Sequence, residues 1–241
     1  MNATMTTGST GRATPSPFKD ATRLQHSVLA ALEKRTLIWL ANRMPAAINS
    51  DHLTILALAA MVGAGLSYWL ARSTPAGLVL VIVFLAINWF GDSLDGTLAR
   101  VRKCQRPRYG YYVDHVVDAV GALALFGGLA LSGYMSAAVA AVLLIAYFLL
   151  CLEVYLATHS LGEFQMSFFG MGPTELRILL AIGNIVLLVH PMATIFGHTF
   201  KLFDVGGVVG AVGLAGTFVY SALRNTRALY RAEPLRGRRP E

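Results

Sequence analysis

The chain has 241 residues, of which 55% are hydrophobic and only 14% charged, with a mean hydropathy of +0.57. A soluble domain carries roughly 25% charged residues, and one of this size could not hide so much apolar surface, so lipid must cover part of it. The net charge of +7 does not point to nucleic acid, because the arginines lie between and beside the apolar runs, where the positive-inside rule puts them.

The first seventeen residues are rich in Thr, Ser, Gly and Pro and lack the apolar core of a signal peptide, so 1–17 reads as a disordered tail. From about Ala21 to Arg43, Leu24, Val28, Ala31 and Leu32 recur at helical spacing beside the basic Lys34, Arg35 and Arg43. This predicts an amphipathic helix at the membrane interface, within a segment 18–45 that Pro45 closes.

Six apolar runs follow, at about 53–72, 77–97, 112–133, 136–157, 175–194 and 203–223. Each approaches the roughly 20 residues that a helix needs to span hydrocarbon. Backbone groups in lipid must satisfy one another, so helices are the expected form. The predicted fold is all-α: a six-helix membrane domain over 46–225, then a basic tail over 226–241. Arginines and lysines concentrate in the N-terminal segment, in the loop Arg100–Arg108 and in the tail from Arg224. With six spans all three regions face one side, which predicts a multi-pass protein of a bacterial-type inner membrane with cytoplasmic termini.

Gly206 and Gly210 form a GxxxG pair in the last run, and Ala137, Ala138, Ala140 and Ala141 lie in the fourth, which suggests helix packing within or between protomers. Cys104 and Cys151 have no metal-ligand spacing, and no disulfide between them is expected.

The chemistry concentrates in DSLDGTLARVRKCQRPRYGYYVDHVVD, from Asp92 to Asp118. Asp92 and Asp95 share a helical stripe with Gly96, Ala99 and Arg100; Gly110, Asp114, Asp118 and Gly121 form a second stripe on the next helix. Consecutive antiparallel helices put both acidic pairs at similar depth. One charge at mid-bilayer costs roughly 2.5–3.5 kcal/mol on insertion scales, and four like charges also repel. Hard divalent cations, Mg2+ or Mn2+, relieve both costs, and four carboxylates are enough for two ions. Gly96 and Gly110 leave room for a nucleotide beside the carboxylates, and Arg100 is placed to meet a phosphate.

The pattern D-x2-D-G-x2-A-R-x9-G-x3-D-x3-D resembles the signature of the CDP-alcohol phosphotransferases, with Asp92, Asp95, Gly96, Ala99, Arg100, Gly110, Asp114 and Asp118 at its fixed positions. The six-span layout, the N-terminal helix and the N-S-D-H-L-T segment at Asn49–Thr54 are similar as well. The resemblance implies transfer of a phospho-alcohol group from CDP-diacylglycerol or another CDP-alcohol to a small hydroxyl acceptor, with release of CMP. It implies metal ligation by Asp92, Asp95, Asp114 and Asp118, a cytidine diphosphate site at Gly96, Ala99, Arg100 and Gly110, Asp118 as general base, and a homodimer. His115, in D-H-x2-D, is similar to the choline and ethanolamine branch and is a second candidate base. Asn88, Glu153, Glu175 and Arg177 are candidates for the acceptor pocket, although Glu153 and Arg177 would equally pair with each other. Two other classes share some features: a UbiA-like prenyltransferase, with aspartate motifs and magnesium, and a cation or metabolite transporter.

Overall fold

The structure is a computed structural model and describes residues 22–24, 29–165, 167 and 170–234. Its helices are α1 (Ala30–Arg43), α2 (Ser50–Leu70), α3 (Ala76–Val101), α4 (Pro107–Leu131), α5 (Ala137–Leu161), α6 (Pro173–Val189) and α7 (Leu202–Ala232). Four short strands accompany them: β1 (Thr22–Leu24), β2 (Glu163–Gln165), β3 (Met192–Ile195) and β4 (His198–Lys201). This is an all-α membrane protein. The helices α2, α3, α4, α5 and α7 are long and apolar enough to cross a membrane.

The fifth expected span, at about 175–194, is shorter than the sequence suggests. α6 has 17 residues, or about 25 Å at 1.5 Å per residue, against a hydrocarbon core of about 30 Å. Pro191 follows it closely, and the chain then turns back as the antiparallel hairpin β3–β4, with Phe196 and Gly197 at its tip in left-handed backbone conformations. Residues 190–194, read as the end of a span, therefore belong to an extended segment.

The ends of the chain need two further corrections. The helix expected over 21–43 begins only at Ala30, while Thr22–Leu24 pairs in parallel with Glu163–Gln165. The expected disordered tail, 1–17, lies outside the described residues. The basic tail expected from residue 226 is helical as far as Ala232, because α7 carries the final span onward without a break.

Local chemistry sets where α2 begins. Asn49 Oδ1 accepts from His52 N at 3.0 Å, and His52 Nδ1 accepts from Asn49 N at 3.3 Å. This reciprocal cap satisfies two backbone donors that a helix start leaves open. The basic loop after α3 is tied to the same region: Arg102 donates to the carbonyls of Met44, Pro45 and Ile48, and Arg106 pairs with Asp51. The N-terminal end of α2 thus lies next to the α3–α4 turn.

Close packing of α2 against α4 depends on Gly65 and Gly128, whose backbones meet so directly that a methyl group on either would collide with the other helix's backbone. In α7 the glycine buried against α5 is Gly207: a methyl there would meet Val139 Cγ1 at 2.6 Å, whereas one at Gly206 would meet nothing within 4 Å. Of the expected GxxxG pair only Gly210 faces α5, where a methyl would meet Leu143 Cδ1 at 3.2 Å. Ala140, on the opposing helix, is buried as that packing requires. Cys104 and Cys151 are free thiols.

Candidate active site

Three of the four expected carboxylates converge. Asp92 on α3 and Asp114 and Asp118 on α4 each offer an oxygen, and these oxygens all lie within 4.8 Å of one another. The geometry follows from spacing: residues four apart on α4 share a face, and α3 and α4 are consecutive antiparallel helices. All three side chains are half-buried.

Asp95 stands apart from that group. Its Oδ2 accepts from Thr54 Oγ1 at 2.6 Å, its Oδ1 accepts from the Gly96 amide, and its carbonyl accepts from Ser50 Oγ at 2.9 Å. The N-S-D-H-L-T segment therefore has two structural tasks: Asn49 and His52 cap α2, while Ser50 and Thr54 hold the turn of α3 that carries Asp95. Sequence spacing could not show that α2 would provide this support.

Arg177 on α6 reaches the aspartates from the far side. Its Nη2 is ion-paired with Asp92 Oδ2, and its Nε donates to Asn88 Oδ1 at 2.8 Å. Asn88, 3% exposed, also donates to the Ala57 carbonyl at 3.1 Å, so one amide links α2, α3 and α6. The buried Nη1 of Arg177 has no acceptor among the described residues.

The suggested pairing of Glu153 with Arg177 does not occur. Glu153 is buried between α5 and α7, where it accepts from Ser221 Oγ at 2.8 Å and from Asn225 Nδ2 at 2.7 Å. Glu175 has helix-end roles: its Oε2 accepts from Gly172 N at 3.0 Å, closing the start of α6, and its Oε1 accepts from Leu29 N at 2.9 Å. Of the residues suggested for an acceptor pocket, Asn88 and Arg177 lie at the aspartates, through Arg177's pair with Asp92.

The nucleotide-site candidates lie on the same stretch. Arg100 Nη2 donates to Thr97 Oγ1 at 2.9 Å, and a methyl at Gly96 would meet Arg100 Nη1 at 3.4 Å. Beside Gly110 a methyl would meet nothing within 4 Å, so no described protein group fills that space.

His115 is adjacent to Asp114 in sequence but turned about 100° around the helix. Its Nδ1 lies 2.5 Å from the Tyr111 carbonyl, and its ring lies tilted against Tyr111 at 4.1 Å and meets Tyr155 edge-on at 4.4 Å. A proton on Nδ1 suits that carbonyl and leaves Nε2 with a lone pair. Tyr155 also lines a cavity of about 130 Å³ with Ala119, Tyr147, Phe148, Cys151 and Leu152, between α4 and α5.

The donor set suits a hard divalent cation: it is all oxygen, multiply anionic, and gathered from two helices. With an arginine on the third side, the bundle presents a charged, oxygen-rich group of the kind that metal-assisted enzymes use. The chain belongs to the CDP-alcohol phosphatidyltransferase family, whose model matches residues 48–219. It is a multi-pass membrane transferase that moves a phosphatidyl-type group from a CDP-alcohol. That membership removes the prenyltransferase and transporter readings.

The fold has solved counterparts. A crystal structure of the Mycobacterium tuberculosis phosphatidylinositol phosphate synthase PgsA1 in apo form matches with a TM-score of 0.51 at 21% identity, covering 86% of this chain and 98% of that one. A second, with CDP-DAG bound, matches with a TM-score of 0.53 at 18% identity, covering 88% and 99%. No protein of curated function matches the chain.

Proposed function

We propose that the chain transfers the phosphatidyl group of CDP-diacylglycerol, or of a closely related CDP-alcohol, to a small hydroxyl acceptor and releases CMP in a divalent-metal-dependent reaction. The observation that carries this is the convergence of Asp92, Asp114 and Asp118 opposite Arg177. The similarity to a synthase solved with CDP-DAG bound favours a lipid donor.

In this reading Asp92, Asp114 and Asp118, with Asp95 oriented by Thr54, would hold Mg2+ or Mn2+. Ions held there would supply positive charge against the diphosphate, which favours departure of CMP. Gly96 and Gly110 let the nucleotide approach α3 and α4, Ala99 keeps that face small, and Arg100 meets the diphosphate. Asp118 takes the acceptor's hydroxyl proton. The freed oxygen forms a bond to the phosphorus on the lipid side, and the bond from that phosphorus to the bridging oxygen breaks, its electron pair leaving with CMP. Asp118 is preferred to His115 because it belongs to the convergent group, whereas His115 is engaged with Tyr111 and Tyr155.

Arg177 Nη1 is the donor best supplied for an anionic substrate oxygen, since its own guanidinium is already held at Nε and Nη2. In this reading Glu153 and Glu175 serve the scaffold, which their bonds to Ser221, Asn225, Gly172 and Leu29 support. The basic loop, the arginines of α7 and the N-terminal segment support a cytoplasmic site and cytoplasmic termini. Family resemblance extends to a homodimer.

CMP release from CDP-diacylglycerol with a panel of acceptors (glycerol phosphate, inositol, inositol phosphate, serine and choline) tests this reading. One acceptor should accelerate release and appear in a new lipid product. Release without incorporation of any acceptor would contradict it.

A further inference from the structure

A carboxylate outside the aspartate group sits at the junction of three helices. Glu33 Oε1, on α1, accepts from Trp89 Nε1 at 2.9 Å and Ser93 Oγ at 3.3 Å, both on α3, and from Thr174 Oγ1 at 2.5 Å on α6. Ser93 directly follows Asp92, and Thr174 lies three residues before Arg177, close to one helical turn. Each member of the Asp92–Arg177 pair is thus near a group bonded to Glu33. A second carboxylate ties the same elements in the opposite direction, with Leu29 N, just before α1, donating to Glu175 on α6.

Holding α1 on the bundle does not require Glu33. Leu37 and Ala41 are buried on the same helix, in a cluster with Leu53, Leu94 and Leu98. Nonpolar burial is non-directional and fixes no particular spacing. Three hydrogen bonds to one oxygen do fix one, because each acts only over a narrow range of distance and angle.

We infer that Glu33 is a positioning residue: it sets the separation of α3 and α6 so that Arg177 stays against Asp92 before substrate arrives. The inference rests on the reading of the aspartate group as the reaction site. It makes α1, whose outer face exposes Leu32 and Trp39, part of the machinery that shapes that site.

The test uses full-length protein in nanodiscs, with Glu33→Ala and Glu33→Gln. Gln keeps a side-chain oxygen for the three donors, and Ala keeps none. In CMP release from CDP-diacylglycerol, Glu33→Ala should lower kcat per folded molecule on the order of 10- to 100-fold, the scale of an ångström-sized displacement. Glu33→Gln should stay within about threefold of wild type, a difference of under 1 kcal/mol. Unchanged kcat per folded molecule in Glu33→Ala, or equal losses in both variants, would overturn the inference.

A second readout does not depend on the reaction. In thermal unfolding, Glu33→Ala and Arg177→Ala should be coupled, with the double variant clearly less destabilised than the sum of the singles. Additive effects would overturn the inference. If wild type released no CMP, the reaction assignment would fail, and this coupling would still decide the role of Glu33.

Discussion

Arg177 on α6 and Asp92 on α3 are ion-paired, and the same guanidinium donates through Nε to Asn88, one helical turn before Asp92. The two side chains are 17% and 21% exposed, so the pair is shielded without being sealed. Removing one member of such a pair leaves the other charge short of a partner. Arg177→Ala should cost about 2 kcal/mol, the low end for buried hydrogen-bonded charge pairs. For a chain of this size that corresponds to a loss of about 4–8 °C in Tm. Arg177→Lys should recover some stability and little turnover, since an ammonium cannot serve Asn88 and Asp92 in the same fork. Thermal unfolding and CMP release, measured on both variants, check this.

Thr54 and Asp95 provide a narrower test. Thr54→Val keeps the shape and removes the donor, and a hydrogen bond to a charged group contributes about 1.5–3 kcal/mol. Turnover should fall about 4- to 12-fold if half of that is lost from the transition state. Thr54→Ser, which keeps the hydroxyl, should be close to wild type. Equal losses in Thr54→Val and Thr54→Ser would show that the hydroxyl is not what matters.

Stability and chemistry should separate at Glu153. Glu153→Ala strips Ser221 and Asn225 of a shared acceptor deep between α5 and α7. Each unsatisfied buried donor costs about 1–3 kcal/mol, so Tm should drop by several degrees. The kcat of the folded fraction should remain near wild type, because Glu153 bonds to none of the aspartates or Arg177.

Gly128 is a purely steric case. Gly128→Ala places a methyl into the backbone of α2 at Gly65, and overpacking of this kind costs about 1–3 kcal/mol or more. Folded yield should fall sharply, while Gly206→Ala, beside open space, should leave it unchanged.

What the sequence disclosed and what it withheld have physical causes. Asp92, Asp114 and Asp118 were legible because helical spacing fixes which side chains share a face, and a short loop fixes which helices are neighbours. Five of the six expected membrane spans were legible from their length and apolarity alone. The hold on Asp95 was not legible, because its partner, Thr54, lies 41 residues away on another helix. Glu33 gave no signal, since one glutamate on an amphipathic helix looks like any solvated charge until α3 and α6 surround it. Gly65 and Gly128 each have another glycine within two residues, Gly63 and Gly127, and spacing alone does not say which one meets the other helix, whereas the conspicuous Gly206 faces outward. Pro191 was the available clue that the fifth apolar run ends early.

The base assignment turns on helix faces. Asp118→Asn should reduce CMP release by two or more orders of magnitude, within the range of about 10²–10⁴ for general base catalysis, and His115→Ala should cost far less. The reverse order would move the base to His115.

The most direct test is CMP release from CDP-diacylglycerol by the purified protein, with a competent acceptor, with and without Mg2+, beside Asp92→Asn. Release that requires the metal and is abolished in Asp92→Asn is the predicted result. Full release after chelation, or an Asp92→Asn variant as active as wild type, would contradict the account.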